Sequence, residues 1–172
     1  MSFVLHDTIV AFGSSSSSFD GALSLVRISG KNLTPVWQQI TQKKSYVPRH
    51  SYFINIKNQQ NVLIDSTVCV FFKAPKSFTG EDVIEITCHG GKLIAENLMR
   101  YLFSLKLRQA KRGEFSYRAF INGKIDLLQA ESISGEIFSS VVDAPPFAKA
   151  YIDQNRLPVL SDTENKIVNY HY

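Results

Sequence analysis

The segment at residues 77–91, SFTGEDVIEITCHGG, concentrates side chains that can do chemistry. Glu81, Asp82 and Glu85 supply carboxylates, and Cys88 and His89 supply a thiol and an imidazole in adjacent positions. Such side chains occur together in metal centres, in sites where a base activates a nucleophile, and in sites where a carboxylate holds a polar ligand. The order of the residues along the chain decides which kind of site is favoured.

The adjacency of Cys88 and His89 argues against the first two kinds of site. The alternating apolar residues at 83–89 predict a β-strand, and neighbouring side chains of a strand point to opposite faces. Cys88 and His89 therefore cannot easily bind one ion, and His89 cannot easily activate Cys88. The sequence has no other Cys and His spacing typical of zinc and no H-E-x-x-H sequence. We expect no metal site and no catalytic residue here.

Glu85 fits the third kind of site. Ile84 and Ile86 occupy the strand face that should pack against the core, so Glu85 points from the opposite face into a cleft or to solvent. A fixed carboxylate can accept two parallel N–H bonds, such as those of the amino and ring N–H edge of a pterin or a guanine. A solvated glutamate on the outer face of a sheet has the same pattern, and pattern alone favours that second interpretation.

Arg27 is a second charge inside a predicted strand, within ALSLVRISG at residues 22–30. The alternation puts Arg27 on one face with Leu23 and Leu25, and Val26 and Ile28 on the other. An unpaired charge in such a position is costly, so the guanidinium must reach a partner or the strand end. We therefore expect Arg27 to have an acceptor.

Phosphate-binding loops are not indicated. The Gly-Lys pairs at 30–31, 91–92 and 123–124 lack a Gly five residues before the Gly and a Ser or Thr after the Lys. None of them completes G-x-x-x-x-G-K-[ST], the sequence whose backbone amides surround the phosphates of a nucleotide. We therefore do not expect this chain to hydrolyse a nucleotide.

The composition bounds the class of protein. The chain has 172 residues, of which 44% are hydrophobic, and this suits one compact domain with a core. The net charge of +4 and the basic and aromatic segment at 110–120, AKRGEFSYRAF, permit contact with RNA, but a structural role is favoured. Two isolated cysteines are typical of a reducing compartment. We expect no signal peptide and no membrane-spanning segment.

The periodicities predict an α+β fold with a mixed β-sheet and helices packed on it. Thr34 is the expected N-cap of the first helix, with Pro35 as its first residue. Asp126 and Gln129 resemble a capping box at the start of the last helix. Strands are predicted at 7–13, 22–30, 51–57, 62–72 and 83–89, further helices at 92–106 and from 126, and a loop at 109–124.

Four stretches of the sequence resemble one family. They are DTIVA (7–11), VRISG (26–30), APKSFTGEDVIEITCHGG (74–91) and RGEFSYRAFINGKIDLLQAE (112–131). Their order and spacing resemble the N-terminal domain of the MnmE (TrmE) family of tRNA-modification GTPases. That domain is similar to the folate-binding (GcvT-like) domain of glycine-cleavage aminomethyltransferases. The resemblance therefore implies a folate-binding α+β domain.

The resemblance also implies a ligand and partners. The family binds a tetrahydrofolate derivative, formyl- or methylene-tetrahydrofolate, near a homodimer interface, and its folate contacts fall here on Arg27, Glu85 and Lys124. With a flavoprotein partner, MnmG (GidA), the family places an aminomethyl-type group on the wobble uridine of certain tRNAs, so contact with tRNA is expected to be indirect. We expect a cytoplasmic protein, or a mitochondrial one if the source is a eukaryote, with no membrane partner.

The expected divisions are the folate-binding domain at 1–124, the start of a helical domain at 125–143 and a segment without predicted structure at 144–172. The family's G domain and Cys-containing C-terminal tetrapeptide have no counterpart in these residues, so we expect neither a GTPase nor a complete enzyme from this chain alone. The Ser-rich segment at 14–18 departs from the family's Pro- and Gly-rich loop. Two alternatives stay open: an assembly module that dimerises and docks the flavoprotein or tRNA, and a one-carbon transferase acting alone.

Overall fold

A computed structural model describes residues 7–12, 21–126 and 129, and within them it contains one six-stranded sheet and three helices. The strands are β1 (Ile9–Phe12), β2 (Leu23–Gly30), β3 (Ser51–Lys57), β4 (Leu63–Phe72), β5 (Asp82–His89) and β6 (Arg108–Gln109). The helices are α1 (Thr34–Thr41), α2 (Lys92–Ser104) and α3 (Glu114–Ile121). The strand order is β3-β4-β5-β2-β1-β6, with β1 and β6 parallel and the other pairs antiparallel. The predicted α+β fold with a mixed sheet is confirmed.

Two expected segments fall largely outside this description. Of residues 125–143, only 125, 126 and 129 are described, and residues 144–172 lie entirely outside the described part of the chain. Within that described part, no helix has both the length and the apolar character needed to cross a bilayer.

Strands β2 and β5 are neighbours at the centre of the sheet and pair residue by residue from Leu23 opposite His89 to Gly30 opposite Asp82. Burial alternates over residues 23–28 of β2 and 84–89 of β5, as the sequence predicted, whereas the paired ends at 28–30 and 82–84 are buried throughout. The alternation specifies the register, because a shift of one residue would turn every apolar side chain to the wrong face. The same register places Arg27 directly opposite Glu85.

The inner face of the sheet packs against α1 and α2. Trp37 of α1 and Leu98 and Leu102 of α2 belong to one buried cluster with the inward side chains of the strands. Phe71 of β4 meets Trp37 edge-on, with ring centroids 5.8 Å apart. Burial of one such side chain stabilises a fold by about 1.5–3 kcal/mol. Because these side chains fill the inner face of the sheet, that face is closed to ligands.

Helix α3 corrects the prediction of a loop at 109–124. Gly113 precedes the helix in a left-handed conformation with φ 72°, and Glu114 and Arg118 then form an i, i+4 ion pair across 3.2 Å. The buried residues of α3 are mostly polar or charged: Glu114, Ser116, Arg118 and Ala119. Because a search for helices follows apolar periodicity, a helix with an ionic buried face escapes it.

Contacts of Leu33 and of the Asp126 and Gln129 pair test the capping predictions. The N-cap of α1 is Leu33 and not Thr34, so that prediction is wrong. The backbone N–H of Leu33 donates instead to the carboxylate of Asp82, which is distant in sequence, at 3.2 Å. The capping box is confirmed: the Asp126 N–H donates to Gln129 Oε1 at 3.1 Å, and the Gln129 N–H donates to Asp126 Oδ1 at 2.7 Å.

Candidate ligand-binding site

Arg27 and Glu85 form an ion pair on the outer face of the sheet. Arg27 donates to Glu85 Oε1 from Nε at 2.9 Å and from Nη2 at 2.7 Å. Both contacts end on Oε1, so Oε2 receives no hydrogen bond from Arg27. The side chains keep 28% and 25% of their surface exposed, which leaves the pair accessible from solvent. The expectation that Arg27 has an acceptor is confirmed, and the acceptor is Glu85.

An aromatic ring lies beside this pair. The guanidinium carbon of Arg27 is 5.3 Å from the centre of the Phe78 ring, a distance at which a cation and a ring attract each other. Phe78 belongs to the segment that joins β4 to β5. The position of the ring therefore depends on how residues 73–82 are held.

The carboxylate of Asp82 fixes the two ends of that segment to each other. It accepts hydrogen bonds from the Ala74 N–H at 3.0 Å and from Lys73 Nζ at 2.9 Å. Together with the bond from Leu33 described above, these contacts engage a side chain that is fully buried. Asp82 therefore holds the two ends of this segment and the start of α1 together.

The middle of the segment is anchored on β2 and on α3. Ser29 of β2 lies 2.7 Å from the Thr79 hydroxyl and donates to Glu81 Oε2 at 2.8 Å. On the other side, Asn122 Nδ2 donates to the Thr79 carbonyl at 2.7 Å. Phe78, which is adjacent to Thr79 in the chain, is thus attached to a rigid support.

Arg118 stands at the centre of a buried ion cluster beneath this support. Its Nη1 donates to Glu81 Oε2 at 3.0 Å and to the Asp7 carbonyl at 2.9 Å. Its Nη2 donates to Asp7 Oδ1 at 2.7 Å and to Glu114 Oε1 at 3.2 Å. The side chain of Arg118 is 0% exposed, and a charge so deeply buried is tolerated only when it is paired.

A second arginine completes the cluster and lowers the pKa of two carboxyls. Arg108 contacts both Asp7 and Glu114. Hydrogen bonds, first from Arg108 and then from Arg118, lower the pKa of Asp7 below its usual value, against the effect of burial. Burial alone raises the pKa of Glu114, but the bonds from Arg108, from the Lys111 N–H and from Arg118 lower it overall. Both groups are carboxylates at neutral pH and link α3 to the start of the sheet.

Lys124 approaches the same segment from the end of α3. Its Nζ donates to the Pro75 carbonyl at 3.0 Å, and its side chain lies against Gly80. Gly80 has φ +77°, and a Cβ at that position would lie 2.9 Å from the Cβ of Asn122, so only glycine fits there. The structure thus brings Arg27 and Glu85 into direct contact and places Lys124 on the segment that carries Phe78.

Cys88 and His89 occupy opposite sides of β5. Cys88 is buried, and burial raises the pKa of its thiol to about 11, so the thiol is protonated at neutral pH. His89 is exposed, and its Nδ1 lies 2.8 Å from Oδ1 of the buried Asp65. The prediction that these neighbours point apart is confirmed. Among the described residues, no group of three potential metal ligands comes together.

Sequence reasoning missed Phe78 and the buried cluster around Arg118. The i, i+4 spacing of Glu114 and Arg118 was the one local signal for that cluster. Its other members, Asp7 and Glu81, lie 111 and 37 residues away from Arg118 in sequence. Contacts over such separations follow from the folded topology and not from a local pattern.

The outer face therefore carries an accessible carboxylate, a guanidinium and an aromatic ring on a rigid support. Such a set suits a flat polar ligand that offers both donors and acceptors. The fold and the site together define an α+β domain with a charged pair on the open part of a mixed sheet.

Comparison with known proteins identifies the family. A sequence model described as "GTP-binding protein TrmE N-terminus" matches residues 8–124, and the chain belongs to this family. The chain is 39% identical over 143 residues to the "tRNA modification GTPase MnmE" of Sulfurovum sp., covering 78% of this chain and 32% of that protein. It is 44% identical over 128 residues to the protein of the same name in Helicobacter pylori strain HPAG1, covering 74% and 27%.

A third relative gives the same result. The protein of that name in Nitratiruptor sp. is 40% identical over 144 residues, covering 84% of this chain and 32% of that protein. The chain thus spans about a third or less of the length of these relatives. It corresponds to the N-terminal domain of a tRNA modification GTPase.

Proposed function

We propose that this domain binds a tetrahydrofolate derivative, formyl- or methylene-tetrahydrofolate, through Arg27, Glu85 and Lys124. The observation that carries the proposal is the Arg27–Glu85 pair, which is only a quarter exposed yet remains open on the outer face of the sheet. An ion pair that served stability alone would contribute little in such a position.

The pair matches the chemistry of a pteridine ring. Glu85 Oε2, which Arg27 leaves unengaged, is an acceptor for the amino and ring N–H edge of a pterin. Arg27 offers N–H donors to a carbonyl oxygen of the same ring system. The Phe78 ring, 5.3 Å from the Arg27 guanidinium, supplies an apolar surface beside them.

Lys124 suits the anionic end of the same ligand. Among the described residues its ammonium group has one hydrogen-bond partner, the neutral carbonyl of Pro75, and Lys124 is exposed. Exchange of that carbonyl for the carboxylate of a glutamate tail would form a charge-assisted hydrogen bond, which is the stronger kind. A bound folate would supply a one-carbon unit, whereas the residues of this chain bind and orient it.

Calorimetric titration of the full chain with 5-formyltetrahydrofolate tests the proposal. We expect Glu85→Ala to weaken binding by about tenfold or more, because a hydrogen bond to a charged group contributes about 1.5–3 kcal/mol. The matched control is Glu96→Ala, which removes an exposed glutamate of α2 that pairs with Lys92 at 3.8 Å. Equal affinity in the two variants would remove Glu85 from the site.

The proposal includes a homodimer formed through the outer face of the sheet. Phe53, Val68 and Thr87 lie directly opposite one another on β3, β4 and β5. Phe53 is 72% exposed, and an apolar row of this kind is typical of an interaction surface. We expect a dimer in light scattering and a monomer after Phe53→Asp. A monomer in the unchanged chain would contradict this part of the proposal.

A second candidate is an assembly module that docks a MnmG-like flavoprotein or tRNA for modification of the wobble uridine, without folate turnover. The exposed row of Phe53, Val68 and Thr87 favours this second candidate, because the row is available whether or not folate binds. The two candidates separate on Glu85→Ala. A folate-binding domain loses its ligand, whereas an assembly module has no folate affinity to lose and keeps its dimer and its partner.

A further inference from the structure

The described part of the chain is far more basic than the chain as a whole. It contains sixteen of the 19 Lys and Arg residues but only eight of the 15 Asp and Glu residues. The net charge of +4 for the full sequence therefore conceals a strong excess of cations on the folded domain. The location of this excess decides what it can bind.

All eight carboxylates are already engaged inside the domain. Each accepts a hydrogen bond or forms an ion pair: Asp7, Asp65, Glu81, Asp82, Glu85, Glu96, Glu114 and Asp126. The ion pairs of these carboxylates are formed with only some of the cations. Several exposed cations of the described residues take part in none of these ion pairs.

Four exposed cations lie on two loops that touch each other, and we call this set the basic ledge: Lys43, Lys44, Arg49 and Lys76. Arg49 Nη2 donates to the Lys76 carbonyl at 2.9 Å, so the two loops that carry the ledge are in direct contact. All four residues are exposed, and none of them forms an ion pair with a carboxylate of the described residues.

Aromatic rings and backbone contacts hold the ledge in place. Tyr46 of the first loop stacks on the core residue Phe71 with ring centroids 3.8 Å apart. The ring of Tyr52 contacts both ends of the loop. Lys43 Nζ lies 5.9 Å from the centre of this ring, and the centre of the His50 ring lies 4.9 Å from it. Arg49 adopts φ 63°, an uncommon conformation for this residue type, and its backbone N–H donates to the Phe71 carbonyl at 2.8 Å.

We propose that the basic ledge binds the phosphodiester backbone of a nucleic acid. Three of its four cations are lysines, and exposed lysines on a fixed surface contact phosphates without reading sequence. The ring edges of His50 and Tyr52 beside them suit ribose and base contacts. The ledge consists of loops and lacks the amphipathic helix through which basic segments usually engage membranes.

This surface is not the one that the sequence indicated. The basic and aromatic segment at 110–120 supplied the RNA alternative, but Arg118 within it is fully buried among carboxylates. The ledge lies instead on the two loops around residues 43–50 and 73–76, and Lys124 reaches the second of these loops through Pro75. The inference does not depend on folate binding.

Salt-dependent binding to a labelled RNA hairpin tests the inference. We expect the triple variant K43Q/K44Q/K76Q of the full chain to weaken binding by at least tenfold at about 100 mM salt, and to lower the slope of log K against log salt by about two to three. Arg49 is kept because it joins the two loops. The matched control K57Q/R100Q/K106Q removes the same charge elsewhere on the domain.

The outcomes of this experiment either support or overturn nucleic-acid binding by the ledge. A loss of RNA affinity confined to the ledge variant supports it. Equal losses in both triple variants would mean that net charge alone drives binding and would overturn it. So would preferential binding of vesicles with about 30% phosphatidylserine, or of a poly-glutamate peptide, over the hairpin at equal salt, because the partner would then be a membrane or an acidic protein.

Discussion

Arg118 and Arg27 are both paired with glutamates, yet the two sites differ in almost every physical respect. Arg118 is 0% exposed and is bonded to groups of Asp7, Glu81 and Glu114. Arg27 is 28% exposed and is bonded to one oxygen of Glu85. The first site is closed and joins three parts of the chain. The second is open and has an acceptor oxygen to spare.

The difference between the two sites separates the charged groups that hold the fold from those that can exchange partners. Removal of one member of a buried pair leaves the other charge with neither a partner nor solvation, whereas water solvates the remaining charge of an exposed pair. The closed cluster also holds Glu81 of the segment that carries Phe78. It therefore supports the segment that lies beside the open site.

The largest effect should come from Arg118→Met. Glu81 and Glu114 would remain buried without their cation, and we expect the free energy of unfolding to fall by about 3–5 kcal/mol. Urea unfolding followed by the fluorescence of Trp37, which is buried in the core, measures this loss. Arg27→Met should lose no more than about 1 kcal/mol. Similar losses of unfolding free energy in the two variants would show that the two sites do not differ in their contribution to stability.

Gly80→Ala should have the next largest effect. The substitution imposes a left-handed conformation on alanine and pushes its Cβ to 2.9 Å from the Cβ of Asn122, so we expect a loss of about 2 kcal/mol or more. Gly123→Ala is the matched control. It has φ +64° but no atom within 4 Å of the added Cβ, and it should cost only the conformational part.

If the two glycine variants unfold at the same urea concentration, close packing at Gly80 does not contribute. We also expect Gly80→Ala, but not Gly123→Ala, to weaken folate binding, because Lys124 packs on Gly80. The measurement of folate affinity thus tests whether packing at Gly80 affects the open site.

Asp7→Asn should show a smaller effect that depends on pH. We expect a loss of about 1–2 kcal/mol at pH 7, where the carboxylate is charged and bonded to Arg108 and Arg118. Because the pKa of Asp7 is lowered on folding from its ordinary value of 3.8, its contribution is present above that pH and is lost as the pH falls through the folded value.

Unfolding measurements from pH 7 to pH 3 check this sign. The difference in stability between the unchanged chain and Asp7→Asn should shrink as the pH falls below about 4. Glu114 retains its own acid sensitivity in both proteins, since its pKa is also lowered. A difference that stayed constant across this range would show that Asp7 does not act through its charge.

Phe78→Leu should have the smallest effect of the four. Loss of the ring removes the apolar surface beside the proposed ligand and the cation–π contact that positions Arg27, so folate affinity should fall about two- to fivefold. Phe53→Leu, on the exposed row of the same sheet face, is the control for folate affinity. An unchanged affinity in Phe78→Leu would place the ligand away from the ring.

Much of the open site could be predicted from sequence, and little of the closed one. Alternation in β2 and β5 was enough to put Arg27 and Glu85 on an outer face, because a strand's period is local. That the two residues face each other could not be predicted, because the pairing joins strands 58 residues apart. Lys124 was found by family resemblance, and its contact with residues 75–80 depends on where α3 ends.

The closed cluster escaped prediction for a different reason. Its helix buries charged residues, so the apolar period that reveals α1 and α2 is absent from α3. Its stability comes from partners in three separate parts of the chain, including Asp7 near the amino terminus. Charge complementarity over such distances is a property of the assembled fold.

We propose that Arg27 exchanges partners when a ligand binds, whereas Arg118 keeps its partners. The most direct test is a ¹H–¹⁵N spectrum of the arginine Nε groups during titration with 5-formyltetrahydrofolate, with signals assigned by Arg27→Lys and Arg118→Lys. We expect the Arg27 Nε signal to shift and saturate with the ligand while the Arg118 signal stays in place. An Arg27 signal that does not move at saturating ligand, or equal shifts of both signals, would contradict it.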